Sequence, residues 1–187
     1  MRLFLAINLP DEVRIAIGKA VEPLRAAAPS VAWIGAERLH LTLKFLGEQP
    51  EAMLGALGSV VHAVARRSPA IELELGGIGA FPRLLRPRVI WLGIAPEPRL
   101  ELLHRDVESG CAELGIPVDG RPFRPHVTLG RVRSRLHTDA ARELSRAARR
   151  VRYGASVPVA SVELMQSAPR PGGPHYSVVA SAMLRAA

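Results

Sequence analysis

Two short stretches carry residue types that could do chemistry together. His40-Leu41-Thr42-Leu43 and His126-Val127-Thr128-Leu129 share the pattern His-apolar-Thr-Leu, one copy in each half of the chain. Imidazole titrates near neutrality, so one of two such groups can hold a proton while the other lacks it. A displacement needs this when the attacking water must lose a proton and the leaving oxygen must gain one. Threonine hydroxyls can donate to the non-bridging oxygens of a phosphate and stabilise charge there. A cyclic phosphate suits the set, because ring strain lets acid–base catalysis work without a metal ion. Lys44, or Arg124 and Arg131 bracketing the second copy, could add positive potential.

Other chemistries fit the residues less well. A zinc site needs three or four protein ligands, yet neither motif contains a carboxylate or thiol and there is no His-Glu-x-x-His, so no metal or other cofactor is expected. No Gly-x-Ser-x-Gly elbow is present, and Cys111 falls within a helical pattern. A lone histidine on an apolar strand is ordinarily a packing or surface residue; repetition at matching phase argues otherwise here. His62 and His104 fall in helical segments, and His137 precedes one. His175-Tyr176-Ser177 is a near-copy of the motif that lacks its apolar middle residue and follows a Pro-Gly loop. Arg83, Arg86 and Arg88 read first as solvated loop charges, and only second as guides for RNA.

Strands must position both motifs. Successive side chains on a strand point to opposite faces, so His40 shares a face with Thr42, and His126 with Thr128, while the intervening apolar residues can be buried. By the same alternation Lys44 falls on the His40 face. Further strands are expected over Arg2 to Asn8, 71–75, 88–94, 157–166 and 176–184, and a short extended piece over 31–34. Gly76, Gly77 and Gly79 are expected to loosen the chain before Phe81. Helices are expected over 11–24 with Asp11 as cap, 51–67, 99–114 ended by Gly115, and 138–150 capped by Thr138 or Asp139. Strands joined by short turns require antiparallel pairing, which excludes a doubly wound parallel sheet. The order indicates an α+β sheet protein with some internal duplication.

Composition bounds the class. A chain of 187 residues, 48% of them hydrophobic, fits one globular domain or two small lobes sharing a core. No apolar run is long enough to cross a bilayer. The N-terminal Arg2–Pro10 segment passes directly into Asp11-Glu12 and reads as a strand, not a signal peptide. With a single cysteine and no export signal, a reducing cytoplasm is expected. The net charge of +8 suits a polyanionic partner such as RNA. Part of it reflects an arginine-rich coding bias, since only Lys19 and Lys44 are lysines.

Taken with their flanks, these motifs identify a family. Arg2–Pro10, Trp33, His40–Glu48, Gly79-Ala80-Phe81-Pro82, Val89–Gly93 and Phe123–Arg131 resemble, in that order, the two-histidine (2H) phosphoesterases. Within them the chain is similar to the bacterial RNA 2′,3′-cyclic phosphodiesterase family, also called RNA 2′,5′-ligases. The resemblance implies a bilobal, pseudo-two-fold α+β fold, with antiparallel sheets flanked by helices and a central cleft carrying both motifs. It makes residues 1–187 a single domain of two similar lobes. It implies metal-free hydrolysis of a 2′,3′-cyclic phosphate at an RNA end, tRNA-like or oligonucleotide, to a 2′-phosphomonoester. His40 would be the proton donor and His126 the proton acceptor; Thr42 and Thr128 would hold the phosphate, with Arg131 and Arg124 as further contacts. Gly130 departs from the family pattern, where a slightly larger residue is common. Reverse 2′,5′ joining of RNA, action on a small cyclic nucleotide or cyclic phosphate metabolite, and a non-catalytic RNA- or nucleotide-binding role are the alternatives. A monomer is expected.

Overall fold

In the computed structural model, which describes residues 1–185, Arg2–Asn8 forms strand β1, whose residues Leu3 to Ile7 are all buried. A continuous apolar run is what a strand covered on both faces requires. Helices α1 (Asp11–Ala20) and α2 (Glu22–Ala27) follow, then strands β2 (Ala32–Trp33) and β3 (His40–Glu48). Helix α3 (Leu54–Arg67) leads into the hairpin of β4 (Ile71–Arg83) and β5 (Arg86–Ile94). Helix α4 (Pro98–Glu113), strand β6 (His126–Arg131) and helix α5 (Thr138–Arg150) come next. The last strands are β7 (Gly154–Val159), β8 (Ser161–Ala168) and β9 (His175–Met183).

All nine strands belong to one antiparallel sheet, in the order β7-β4-β5-β6-β3-β1-β8-β9, with β2 paired to β6. The order divides into two four-strand halves, each with a motif strand at its inner edge. The halves meet where β3 and β6 pair at Leu41 and Val127. The edge strand β7 is joined through Ala160 alone to β8, which lies next to the opposite edge strand β9, so the sheet must curl until its two ends approach. Hydrogen bonds from Leu184 N–H to Ala160 O and from Arg185 N–H to Ser68 O tie that end shut. A large apolar cluster, including Leu3, Leu5, Leu41, Leu57, Leu92 and Val127, fills the space between the sheet and its helices. The opposite face carries a small cluster of Phe4, Ala6 and Met165, packed by Tyr176. That is the cleft face.

The expected α+β class, antiparallel pairing and flanking helices are present, with four differences in element bounds. The 11–24 helix is interrupted at Val21, and Pro10, not Asp11, occupies its N-cap. His137 is the N-cap of α5, one residue before the expected cap. The glycines after Leu75 do not end β4; the register with β5 shifts between Leu75 and Ile78 and the strand continues to Arg83. The expected 157–166 strand is two strands, because the chain leaves β4 for β1 at Ala160.

Candidate active site

Around the junction of the halves the register is symmetric. Leu41 and Val127 pair directly and are both buried in the helix-side core. The residues on either side of each therefore turn to the cleft face. Because the strands are antiparallel, His40 lies opposite Thr128 and Thr42 opposite His126, as a two-fold between Leu41 and Val127 would place them.

Beyond the threonines both strands bulge at the same place. In β3 the partners on β1 step from Ala6↔Thr42 to Leu5↔Lys44, leaving Leu43 as an extra residue. In β6 the partners on β5 step from Trp91↔Thr128 to Ile90↔Gly130, leaving Leu129 extra. One inserted residue reverses every later side chain. Lys44 is thus turned away from the His40 face, correcting the expectation that it adds charge to the site. It is 5% exposed, and its Nζ donates to Glu108 Oε2 at 2.6 Å and to Pro117 O at 2.8 Å. The same reversal brings Phe45 and Arg131 onto the cleft face, and both line its wall. Gly130, in the Lys44 position of the second copy, lies under β2. A Cβ there would meet Val31 Cγ1 at 2.8 Å and the Trp33 ring at 2.9 Å, which accounts for glycine at this position.

Each imidazole is held by its own strand in the same way. His40 Nδ1–H donates to Arg38 O at 2.7 Å, and His126 Nδ1–H donates to Arg124 O at 2.6 Å. These bonds leave each Nε2 as the proton-exchanging atom. His40 Nε2 accepts from the Thr42 hydroxyl at 3.1 Å. Aromatic rings enclose both histidines. Phe4 and Tyr176 stand 5.0 and 5.3 Å from the His40 ring, and Phe81 and Trp91 stand 5.1 and 6.4 Å from that of His126. The Trp91 indole needs the bare backbone of Gly79, where a Cβ would come within 2.1 Å of it. Burial is the main force holding both imidazoles below their ordinary pKa. The Arg131 charge lowers both further, His126 also lowers His40, and the two carbonyl bonds oppose the shift. Both rings therefore rest neutral near pH 7.

His40, Thr42, Thr128 and Arg131 line one open cleft of about 1000 Å³, together with Phe4, Phe45, Arg170 and Tyr176. His126 stands beside this wall, across the register from Thr42. Arg124 is exposed outside the wall and contributes its carbonyl to His126. The aromatic side chains of the cleft went unread in the sequence, although Tyr176 sits in the look-alike His175-Tyr176-Ser177. The tyrosine of that triplet reaches His40, while His175 is exposed. His62 and His137 are exposed, and His104 stacks on Phe123 at 3.9 Å. Burial raises the Cys111 thiol to about 11, leaving it protonated and inert at neutral pH. Among the described residues no three His, Cys, Asp or Glu side chains gather as a metal ion would require.

A family model described as the 2′-5′ RNA ligase superfamily matches residues 10–170. The RNA 2′,3′-cyclic phosphodiesterase of Thermus thermophilus is 36% identical over 193 aligned positions, covering 99% of this chain and 91% of that protein. The protein of that name from Geobacillus stearothermophilus is 37% identical over 128, which is 68% of this chain and 41% of the relative's length. Among solved structures, TT0787 of Thermus thermophilus superposes with a TM-score of 0.79 at 33% identity, covering 100% of this chain and 99% of that one. Escherichia coli LigT complexed with 3′-AMP superposes with a TM-score of 0.74 at 31% identity, covering 98% and 97%.

Proposed function

We propose that this chain, which belongs to the 2′-5′ RNA ligase superfamily, hydrolyses the 2′,3′-cyclic phosphate at an RNA end to a 2′-phosphomonoester. One observation carries the reading: the register sets each imidazole opposite the other motif's threonine, with both Nε2 atoms free of backbone bonds. In this scheme the cyclic phosphate lies over the Leu41–Val127 pair. The Thr42 and Thr128 hydroxyls donate to its non-bridging oxygens, and the Arg131 guanidinium offsets its negative charge. His126 Nε2 takes a proton from water as the oxygen attacks phosphorus. His40 Nε2, protonated beforehand, gives its proton to O3′ as the P–O3′ bond breaks. The anionic substrate favours that proton, which burial and Arg131 disfavour in the empty cleft. Thr42 must release His40 to reach the phosphate, so its hydroxyl exchanges one acceptor for another. The acid and base assignments rest on the family resemblance, since the local symmetry treats both histidines alike.

In this reading the two halves act as one domain, because neither holds a complete site. The superfamily description favours one further role. With a 5′-hydroxyl in place of water, the same groups can deprotonate that hydroxyl as its oxygen attacks the cyclic phosphate of another strand and protonate O3′ as the P–O3′ bond breaks, leaving a 2′,5′ bond.

Incubation with an RNA ending in 2′,3′-cyclic phosphate tests the proposal. It should yield a 2′-phosphate and a 3′-hydroxyl, at a rate unchanged by chelator. His40→Ala and His126→Ala should each lose about 10²- to 10⁴-fold in rate. A substrate with sulfur at the 3′ position needs little protonation of its leaving group, so it should rescue His40→Ala and leave His126→Ala slow. Unchanged substrate would reduce the protein to a binding module, and rescue of the His126 variant alone would exchange the two roles.

A further inference from the structure

A second concavity, of about 560 Å³, opens where the β4–β5 hairpin tip meets the segment between β6 and α5. Arg86, Arg88, Arg133, Arg135 and Arg142 line it. The hairpin segment 85–88 and the connecting segment 132–138 contain no Asp or Glu. The first carboxylate beyond them, Asp139, is 94% exposed and lies 3.5 Å from Arg142. Among the described residues Arg86, Arg88, Arg133 and Arg135 are all exposed, and no side-chain ion pair or hydrogen bond holds them. Close packing of so many cations opposes folding unless an anion is drawn between them. The groove is also joined to the cleft. Arg131 lines the cleft and Arg133, two residues on, lines the groove, a reach of at most ~7 Å along the backbone. That is short enough for one polyanion to touch both.

We propose that this arginine groove binds the phosphodiester backbone of RNA on the 5′ side of the cyclic end, as a second site separate from the one that performs the reaction. Guanidinium groups match phosphate oxygens in pairs, and contacts of this kind are indifferent to base sequence. The groove therefore selects RNA chains over single nucleotides without selecting their sequence. The identity of the anion as RNA rests on the proposed reaction; the groove's affinity for a polyanion does not.

The test compares a dinucleotide and a twelve-nucleotide RNA, each ending in 2′,3′-cyclic phosphate. The triple variant Arg88→Gln, Arg133→Gln, Arg135→Gln should turn over the dinucleotide as the natural protein does. Its kcat/KM for the longer RNA should fall at least tenfold. Three lost phosphate contacts should reduce the salt slope for single-stranded RNA by about 2. Raising salt from 50 to 200 mM should then cost the natural protein about 20-fold more than the variant on the long substrate. Arg149→Gln with Arg150→Gln and Arg152→Gln, at and just beyond the far end of α5, controls for net charge and should leave that slope nearly intact. An equal fall on both substrates, or an equal effect of the control, would overturn the proposal. Failure of the natural protein on both substrates would refute the reaction instead. Fluorescence anisotropy with a twelve-nucleotide RNA ending in a 3′-hydroxyl would still decide the groove, because binding should weaken in the triple variant alone. A polyglutamate peptide that competed as well as RNA of equal charge would overturn the assignment to RNA.

Discussion

Arg131 is the charge that both imidazoles feel, which makes it the side chain through which the site's pH response can be moved. Burial comes first among the causes that hold His40 and His126 low, and Arg131 acts in the same direction on each. Productive enzyme carries one proton shared between the two, so kcat/KM should be bell-shaped in pH with apparent pKa values belonging to the pair. Because both groups are lowered, the maximum should lie on the acid side of the ordinary imidazole value of about 6.5. Replacing Arg131 with Gln removes a positive charge that opposes protonation. Both pKa values should then rise and the bell should move to higher pH, while its height falls about tenfold or more for the lost charged contact. Arg131→Lys should keep the optimum near its original place. An Arg131→Gln profile of reduced height but unmoved position would show that the guanidinium binds phosphate without tuning the histidines. The His-x-Thr phase was legible in the sequence because strand alternation alone places those side chains. The neighbours of the motifs were not. Lys44 and Arg131 exchange faces at bulges whose extra residues, Leu43 and Leu129, look like any other apolar strand positions.

At the scale of elements, the buried Lys44–Glu108 pair fastens β3 to α4 and to the chain leading into β6. Glu108 Oε2 also accepts from Asp119 N–H at 3.3 Å, while Oε1 lacks a hydrogen bond and has His104 Nε2 at 3.7 Å. His104 in turn stacks on Phe123, three residues before His126. Lys44→Met would leave a carboxylate buried without its cation and the Pro117 carbonyl without its donor. It should cost about 3–5 kcal/mol of unfolding free energy, measured by urea denaturation. Adding Glu108→Leu should recover much of that loss, since paired apolar replacements avoid the stranded charge. A cost below about 1 kcal/mol for Lys44→Met would show that water reaches the carboxylate. Element boundaries were harder to read than element types. Val157-Pro158-Val159-Ala160-Ser161-Val162 keeps its apolar alternation across Ala160, and its Pro158 and Ser161 lie within β7 and β8, so neither marks the change of partner strand at Ala160. Gly76, Gly77 and Gly79 look like breaks, yet they let β4 absorb a register shift and make room for Trp91.

For the whole molecule, the decisive feature is that the two halves touch at the centre and again at the outer edges. Its internal duplication was visible in the paired motifs, but a closed curl depends on contacts between Ala160 and Leu184 and between Ser68 and Arg185, far apart in sequence and ordinary in composition. Between the motif strands the ladder is a single pair, Leu41 with Val127, and each half contributes one histidine and one threonine around it. The separation of the two imidazoles is therefore set by how the halves are braced, and the one-residue joint at Ala160 is a brace far from them along the sheet. Inserting Gly-Ser-Gly after Ala160 should let the edges part while each half keeps its own ladders. Closure of so short an added loop costs little in stability, so far-UV circular dichroism should be unchanged. A displacement of about 1 Å between acid and base can cost about 10²-fold in rate, so kcat should fall by roughly that factor. A joint insertion that lowered kcat and left the spectrum intact would place geometric control at the outer edges of the sheet. Unchanged kcat would mean that the contacts at the centre, the β3–β6 pair, β2 on β6 and the Lys44–Glu108 bond, suffice to fix His40 against His126.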